Sequence, residues 1–485
     1  MLSRCLIFPS VVILLLSLSA PLSIANVQND WADTRAPGTI DARKIAMLDA
    51  GSSGVRAVDY CFLFDYGTGL FELFSQSKIQ EEKKPLTTRQ ELSEEMKKQL
   101  FEMYETENCT GLVRHKHFFL GGTAGLRARQ DSDKVIKRLK STARNLKALG
   151  ANYANNVRLL SGLEEAAFTW LAVNYISMRL SSPYDQYGII ELGGGSVQVA
   201  FRIPLDHGHD TFEEFVRPGV AVPEGSVNVY RFLKKSDEEI EVYGKSYLEY
   251  GLNSALARYK EANLDSPCTT TPGENADLVY QKCLQAMENL FDTPDKLFTS
   301  STRKKWSQPL IPKTIYLNGY FYDRTVALGL PDRLNVSLIK EAAEHICSFS
   351  QEVLQQKFVE GQTHLFRGFV ADKGAFEREP EKRGFSYSGM PREAKGKRIC
   401  AELTYIAVLL EQLGFNDSHT LVAIKSLSFG EKNYQFGISW PLGYAVAYAN
   451  DWLPEFQHRV ETTALALRSA VYADWAAAQT NVTRH

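Results

Sequence analysis

The sequence predicts an α/β protein built from two related halves. Three observations carry that prediction. A unit of strand, acid, glycine turn and strand occurs twice, at 45–64 and 188–201, with Glu191 following Asp49 by 142 residues. Short apolar runs of strand length alternate with longer segments of helical periodicity. The chain has 485 residues, and at ~100–200 residues per domain that is two or three domains. Apolar residues make up 44% and charged residues 23%, so each half can bury a core and the chain is not of disordered composition. With 55 basic and 57 acidic residues the net charge is −2, which argues against a general nucleic-acid binder.

The elements follow in order. Leu6–Leu22 is apolar, broken by Pro9 and Pro21, and ends in Ser23-Ile24-Ala25. It reads as a secretory signal peptide, residues 1–25, cut near Ala25; an uncleaved N-terminal anchor is the rival, because about 17–25 apolar residues can span a bilayer. No later segment is apolar enough to span, so a secreted chain without a stable membrane span is expected. In a secretory pathway, the sequons at Asn108, Asn335, Asn416 and Asn481 are glycosylation sites if the host is a eukaryote. Ile45–Leu48 and Ala57–Phe64 form the first hairpin around Asp49-Ala50-Gly51-Ser52-Ser53-Gly54. Residues 88–105 are helical in pattern, with Leu92, Met96, Leu100 and Met103 on one face. His117–Leu120 is a strand ending in Gly121-Gly122-Thr123-Ala124-Gly125. Asp131 or Ser132 can cap the following helix, whose apolar face is Val135, Leu139, Leu146 and Leu149, and Gly150 closes it.

Gly162–Tyr175 is a helix with Glu164 and Glu165 at its start, where the helix dipole favours negative charge. The second hairpin follows, Gly188–Phe201. Laid on the first, Glu191 meets Asp49, Gly193 meets Gly51, Val197 meets Val55 and Gln198 meets Arg56. Residues 351–398 are charged, with the mixed run Phe376–Arg383, and read as a surface insertion. Ala401–Leu413 is a buried helix ended by Gly414.

Glycine and serine turns present successive backbone N–H groups to one point, which is an anion nest suited to phosphate. An acid beside each nest repels phosphate directly, but makes sense with a divalent cation between them. Two copies facing each other could clamp one phosphoryl group from both sides. Of the glutamate pair, one carboxylate turned into a cleft would be a general base; the alternative for both is helix capping on a solvated face.

These residues accumulate into a family resemblance. Asp49–Arg56, Gly121–Arg127, Gly162–Tyr175, Glu191–Phe201 and Trp440–Tyr444 resemble, in order, the five apyrase conserved regions. The chain resembles an ecto-apyrase, a nucleoside triphosphate diphosphohydrolase. The resemblance implies two RNase H-like domains of the actin and sugar-kinase superfamily, with nucleotide in the cleft between them. The first would be 43–160 with about 445–475, and the second 161–444. It implies hydrolysis of nucleoside tri- and diphosphates with Mg²⁺ or Ca²⁺, the ion held largely through its waters by Asp49 and Glu191. Glu165 matches the family's catalytic base, and Ser196, Gln198 and Thr123 its water-positioning partners. Ser52, Ser53, Gly54, Arg56, Ala124, Gly193, Gly194 and Gly195 would bind phosphate. Tyr316, Tyr320, Phe321 and Tyr322 resemble the family's aromatic run; Tyr322, with Tyr320, would contact the base, strand core being the alternative reading. The family's second aromatic precedes a cysteine, where this chain has Ile399, and Tyr387 could substitute.

Glu191 stands where the family has Asp, Ala166 and Thr169 where it has glycines, and Val55 where it has Thr. Glu191→Asp is therefore expected to retain activity. Related alternatives are an exopolyphosphatase or guanosine pentaphosphatase, and a non-catalytic actin-like nucleotide-binding protein. Of seven cysteines, Cys5 would leave with the signal segment. The other six allow 15 pairings by counting alone. Proximity suggests Cys268–Cys283, Cys347–Cys400 resembles a family disulfide, and Cys61–Cys109 is what then remains.

Overall fold

The computed structural model describes residues 41–86, 91–105, 109, 112–129, 132–149, 156–182, 185–202, 229–234, 239–262, 267–269, 275–291, 312–359, 398–429 and 434–454. The expected leader, Cys5, Asn108, Asp131, Gly150, Tyr387 and residues 455–485 lie outside them.

The first hairpin pairs β1 (Asp41–Ala50) with β2 (Val55–Asp65) in antiparallel register up to Ala50 opposite Val55. β3 (Leu70–Gln76) and β4 (Gln80–Glu82) add to β2. α1 (Glu94–Glu105) buries Met96, Leu100 and Met103, the face its spacing predicted. β5 (Leu112–Gly122) runs parallel to β1 and leads into α2 (Ala124–Arg127) and α3 (Ser132–Asn145); β6 (Val157–Leu159) then runs parallel to β5. The strand order is β3-β2-β1-β5-β6.

α4 (Gly162–Ile176) precedes the second hairpin, β7 (Gly188–Leu192) and β8 (Ser196–Arg202). β9 (Val229–Leu233), β10 (Glu239–Leu248), α5 (Leu252–Ala262), α6 (Ala276–Asn289), β11 (Thr314–Gly319) and α7 (Tyr320–Arg324) follow. Then come β12 (Arg333–Leu334), α8 (Val336–Cys347), α9 (Gln351–Val359), α10 (Ile399–Gln412), β13 (Thr420–Ala423), β14 (Ser426–Phe429), β15 (Tyr434–Gly437) and α11 (Trp440–Ala449). The second sheet runs β12-β13-β11-β7-β8-β10-β9.

The sequence repeat is a repeat of topology. Each hairpin's first strand has a parallel neighbour on its other side, β5 beside β1 and β11 beside β7. The register matches too, with Asp49 opposite Arg56 and Glu191 opposite Gln198.

Strand alternation sorts β1 into two cores. Ala46 and Leu48 face outward onto α1 and α3 with Phe118 and Leu120. Ile45 and Met47 face inward, with Tyr60 and Phe119, onto α4 and α11. The same inner core takes Ile189, Ala200, Phe232 and Val242 from the second sheet, whose other face packs on α5, α6, α8 and α10. The order is helices, sheet, helices, sheet, helices, with α4 and α11 in the shared middle layer. Arg43 of β1 holds the end of α11, donating to the Ala449 carbonyl at 2.6 Å and pairing with Asp451.

The charge pattern assigned residues 351–359 to the surface insertion. They instead form α9, with Leu354 in the core of the second half; the rest of the insertion, 360–397, lies outside the described residues. Cys61–Cys109, Cys268–Cys283 and Cys347–Cys400 are disulfide-bonded. Among the described residues no helix is long and apolar enough to cross a membrane.

Candidate active site

The two adjacent glutamates at the start of α4 have different surroundings. Ser161 is the helix N-cap: its Oγ accepts from the Glu164 N–H at 3.1 Å, while the Glu164 carboxylate accepts from the Ser161 N–H at 2.8 Å. Glu164 also pairs with Arg158. That reciprocal arrangement is a capping box, a structural role. Glu165, one residue on, points inward. It is 8% exposed, and its Oε2 lies 2.7 Å from Nη2 of Arg127.

Arg127 was missed as a site residue in the sequence reading, although it closes the second motif. It also donates to the Leu160 carbonyl at 3.1 Å and to Ser246 Oγ at 3.5 Å. Ser246 was missed as well, since a lone serine in β10 carries no pattern. Its hydroxyl accepts from Gln198 Nε2 at 3.1 Å, and that same amide donates to Ser196. Ser196 and Gln198 are each 2% exposed. One polar chain therefore runs from Ser196 through Gln198, Ser246 and Arg127 to Glu165. Gly162 makes room for it, because a Cβ there would lie 2.3 Å from Ser246 Cβ.

The three glycine turns converge on Ser52. A Cβ on Gly125 would lie 2.6 Å from Ser52 Cα, one on Gly194 2.6 Å from Ser52 Oγ, and one on Gly195 3.1 Å from Ala124 Cβ. Gly125 lets backbone approach backbone, and Gly194 and Gly195 leave room for the Ser52 and Ala124 side chains. The carbonyls of Gly193 and Gly194 accept from the start of α5, at Leu252 and Asn253, and that of Gly195 accepts from Glu249. Among the described residues the amides of Gly194 and Gly195 donate to no backbone carbonyl. Ser53 and Gly54 close the first turn, where the Gly51 N–H donates to the Gly54 carbonyl at 2.9 Å. Thr123, 4% exposed, donates through its N–H to the Ala50 carbonyl at 3.1 Å and joins the first turn to the second. Arg56 is half-exposed and pairs with Glu81 at 3.2 Å.

Asp49 and Glu191 end the first strands of their hairpins, and both are electrostatically linked to Glu165. Burial, with repulsion from Glu165 and relief from Arg56, raises the Asp49 carboxyl to about 6. Burial and the charges of Glu165 and Asp49 raise Glu191 to about 8, against relief from Thr169 and Arg56. Asp49 Oδ1 is buried and accepts no hydrogen bond among the described residues. Hard oxygen donors that repel one another, one of them unsatisfied, suit a divalent cation such as Mg²⁺ or Ca²⁺.

A pH dependence follows. Both acids hold protons more tightly folded than unfolded. Their stabilising contribution is complete below about pH 4 and is lost as pH rises through about 6 and about 8. In EDTA, the melting temperature is expected to fall between pH 4 and pH 8. Glu191→Gln should flatten the upper part of that fall, and added Mg²⁺ should reverse it. A wild-type curve in EDTA that is level across the window would show that these carboxylates are not so perturbed.

The aromatic run of the sequence is divided by the fold. β11 ends at Gly319, whose φ of +71° suits glycine, and α7 begins at Tyr320. Phe321 is in the core and Tyr322 is only 8% exposed. Tyr320 is half-buried, with its hydroxyl 3.3 Å from Nδ2 of Asn253, the residue whose N–H holds the Gly194 carbonyl. Arg324 lies over the Tyr320 ring at 4.8 Å. Tyr320 is thus connected to the glycine turn through Asn253.

A doubled sheet, with one acid-bearing hairpin in each half and a buried carboxylate between them, is the framework of a two-lobed α/β phosphohydrolase. A solved nucleoside triphosphate hydrolase from Neospora caninum shares that fold, with a TM-score of 0.50 and 13% identity over 87% of this chain and 95% of its own. The chain belongs to the GDA1/CD39 (nucleoside phosphatase) family, whose sequence profile matches residues 41–308. It is similar to Apyrase 1 of Arabidopsis thaliana, 26% identical over 82% of this chain and 83% of that one. It is also similar to ectonucleoside triphosphate diphosphohydrolase 6 of Mus musculus, 24% identical over 83% and 81%.

Proposed function

We propose that this nucleoside phosphatase is a secreted, divalent-cation-dependent apyrase that removes the terminal phosphate of nucleoside tri- and diphosphates. The observation that supports it most is Glu165, buried, paired with Arg127 and electrostatically linked to Asp49 and Glu191, each of which stands beside a glycine turn. Asp49 and Glu191 would hold Mg²⁺ or Ca²⁺, which when bound neutralises phosphate charge. The amides of Ser52, Ser53, Gly54, Gly194 and Gly195, with Gly193, Ala124 and Arg56, would receive the phosphates. Ser196, Gln198 and Thr123 would orient a water against the terminal phosphorus. Glu165 takes the proton as the water oxygen bonds to phosphorus and the bridging P–O bond breaks. Tyr320 is the better placed aromatic for the base, because Tyr322 is withdrawn from the surface. The proposed lobes are 43–160 with about 445–475, and 161–444.

With Mg²⁺, phosphate release is expected from ATP and ADP but not from AMP, and EDTA should abolish it. Pyrophosphate and polyphosphate belong in the same assay. Release from polyphosphate alone would replace this reading with that of an exopolyphosphatase.

A further inference from the structure

Two departures from the family pattern, Thr169 for Gly and Glu191 for Asp, meet in space. The Thr169 hydroxyl lies 2.8 Å from Glu191 Oε2 and 2.8 Å from the Glu165 carbonyl, one turn earlier in α4. Thr169 is fully buried. A hydroxyl has a single proton to give. The helix carbonyl has its own N–H partner in α4, whereas an ionised Glu191 gains a charge-assisted bond, so the carboxylate is the stronger claimant. The longer side chain of Glu191 reaches back to α4, and the hydroxyl that replaces a glycine hydrogen is what receives it.

We infer that Thr169 is a positioning residue for Glu191, and that the two form one unit tying α4, which carries Glu165, to the end of β7. This rests on the cation-holding role of Glu191 proposed above. Placing Asp at 191 alone then withdraws the carboxylate from the hydroxyl and leaves Thr169 only the Glu165 carbonyl as acceptor. On this inference Glu191→Asp would weaken cation binding, whereas the family resemblance leads one to expect that it retains activity.

The test uses Mn²⁺ as probe, with its affinity read by electron paramagnetic resonance without turnover. Thr169→Val keeps the shape and removes the donor. It is expected to weaken Mn²⁺ binding by about 10- to 100-fold, as loss of a partner outside the direct ligands does. Thr169→Ser keeps the donor and should restore affinity. Glu191→Asp should weaken binding in the wild-type background and add little to Thr169→Val, because the two sites are coupled. Circular dichroism establishes that each variant is folded. In steady-state assays Thr169→Val should lower kcat more than it raises KM for ATP. Unchanged Mn²⁺ affinity in folded Thr169→Val, or purely additive effects, would overturn the inference. Wild-type protein that binds no Mn²⁺ would overturn both this inference and the cation site. Wild-type protein that binds Mn²⁺ but hydrolyses no nucleotide would remove only the apyrase reading, and the Thr169→Val loss of affinity would still establish the unit.

Discussion

Glu165→Gln is expected to lower phosphate release from ATP at least ~100-fold, the scale of a lost general base, while the protein stays folded. The amide keeps the size and hydrogen-bonding reach of the carboxylate but takes up no proton from water. Two opposing effects set the stability of the variant. Arg127, 13% exposed at its side chain, loses its counter-charge at 2.7 Å, and an unpaired buried charge is costly. Against this, Asp49 and Glu191 lose the repulsion that Glu165 exerts on them. The charge removed sat among two other carboxylates, so the variant should melt cooperatively and close to wild type. Steady-state phosphate release and a thermal melt decide the matter together. A folded variant with near-wild-type rate would take Glu165 out of its role.

The second large effect is structural. Gly443 sits where α11 crosses α4, and a Cβ there would lie 1.7 Å from the Phe168 carbonyl oxygen and 2.5 Å from its carbon. Both are backbone atoms in the buried middle of α4, so no side chain can rotate away. Gly443→Ala must push the helices apart, at a cost of roughly 3 kcal/mol or more. Phe168 lies one turn after Glu165, so the displacement reaches the site as well. A markedly lower melting temperature is expected, with reduced activity in whatever folds. A melting curve like wild type would mean that the two helices do not touch at this point.

Much of this was legible in the sequence, for identifiable reasons. The hairpins were readable because a strand–acid–glycine unit has fixed spacing, and its second copy aligned Glu191 with Asp49 and Gln198 with Arg56; the structure sets Asp49 opposite Arg56 and Glu191 opposite Gln198. Glu165 could be separated from Glu164 only through family resemblance; in the structure a capping box makes the same distinction physically. Ser246 was out of reach because its part depends on Gly162, 84 residues away, leaving a space for it. The bond between Thr169 and Glu191 crosses from a helix to a strand, and no local period records such a contact. The different burial of the two tyrosines was not legible, because it follows from Gly319, which turns the chain from strand to helix and leaves Tyr322 buried and Tyr320 half-buried.

The shared middle layer has a consequence for biosynthesis. The inner face of the first sheet, with Met47, Tyr60 and Phe119, is complete once β5 is made, yet α11, which helps to cover it, begins only at Trp440. At ~5–20 residues per second the ribosome needs on the order of tens of seconds to travel from β6 to α11. Throughout that interval an aromatic sheet face waits for a helix that does not yet exist. In that interval α4, made soon after β6, can cover part of that face. Arg43 receives its partner Ala449 only after the ribosome has moved 406 residues on.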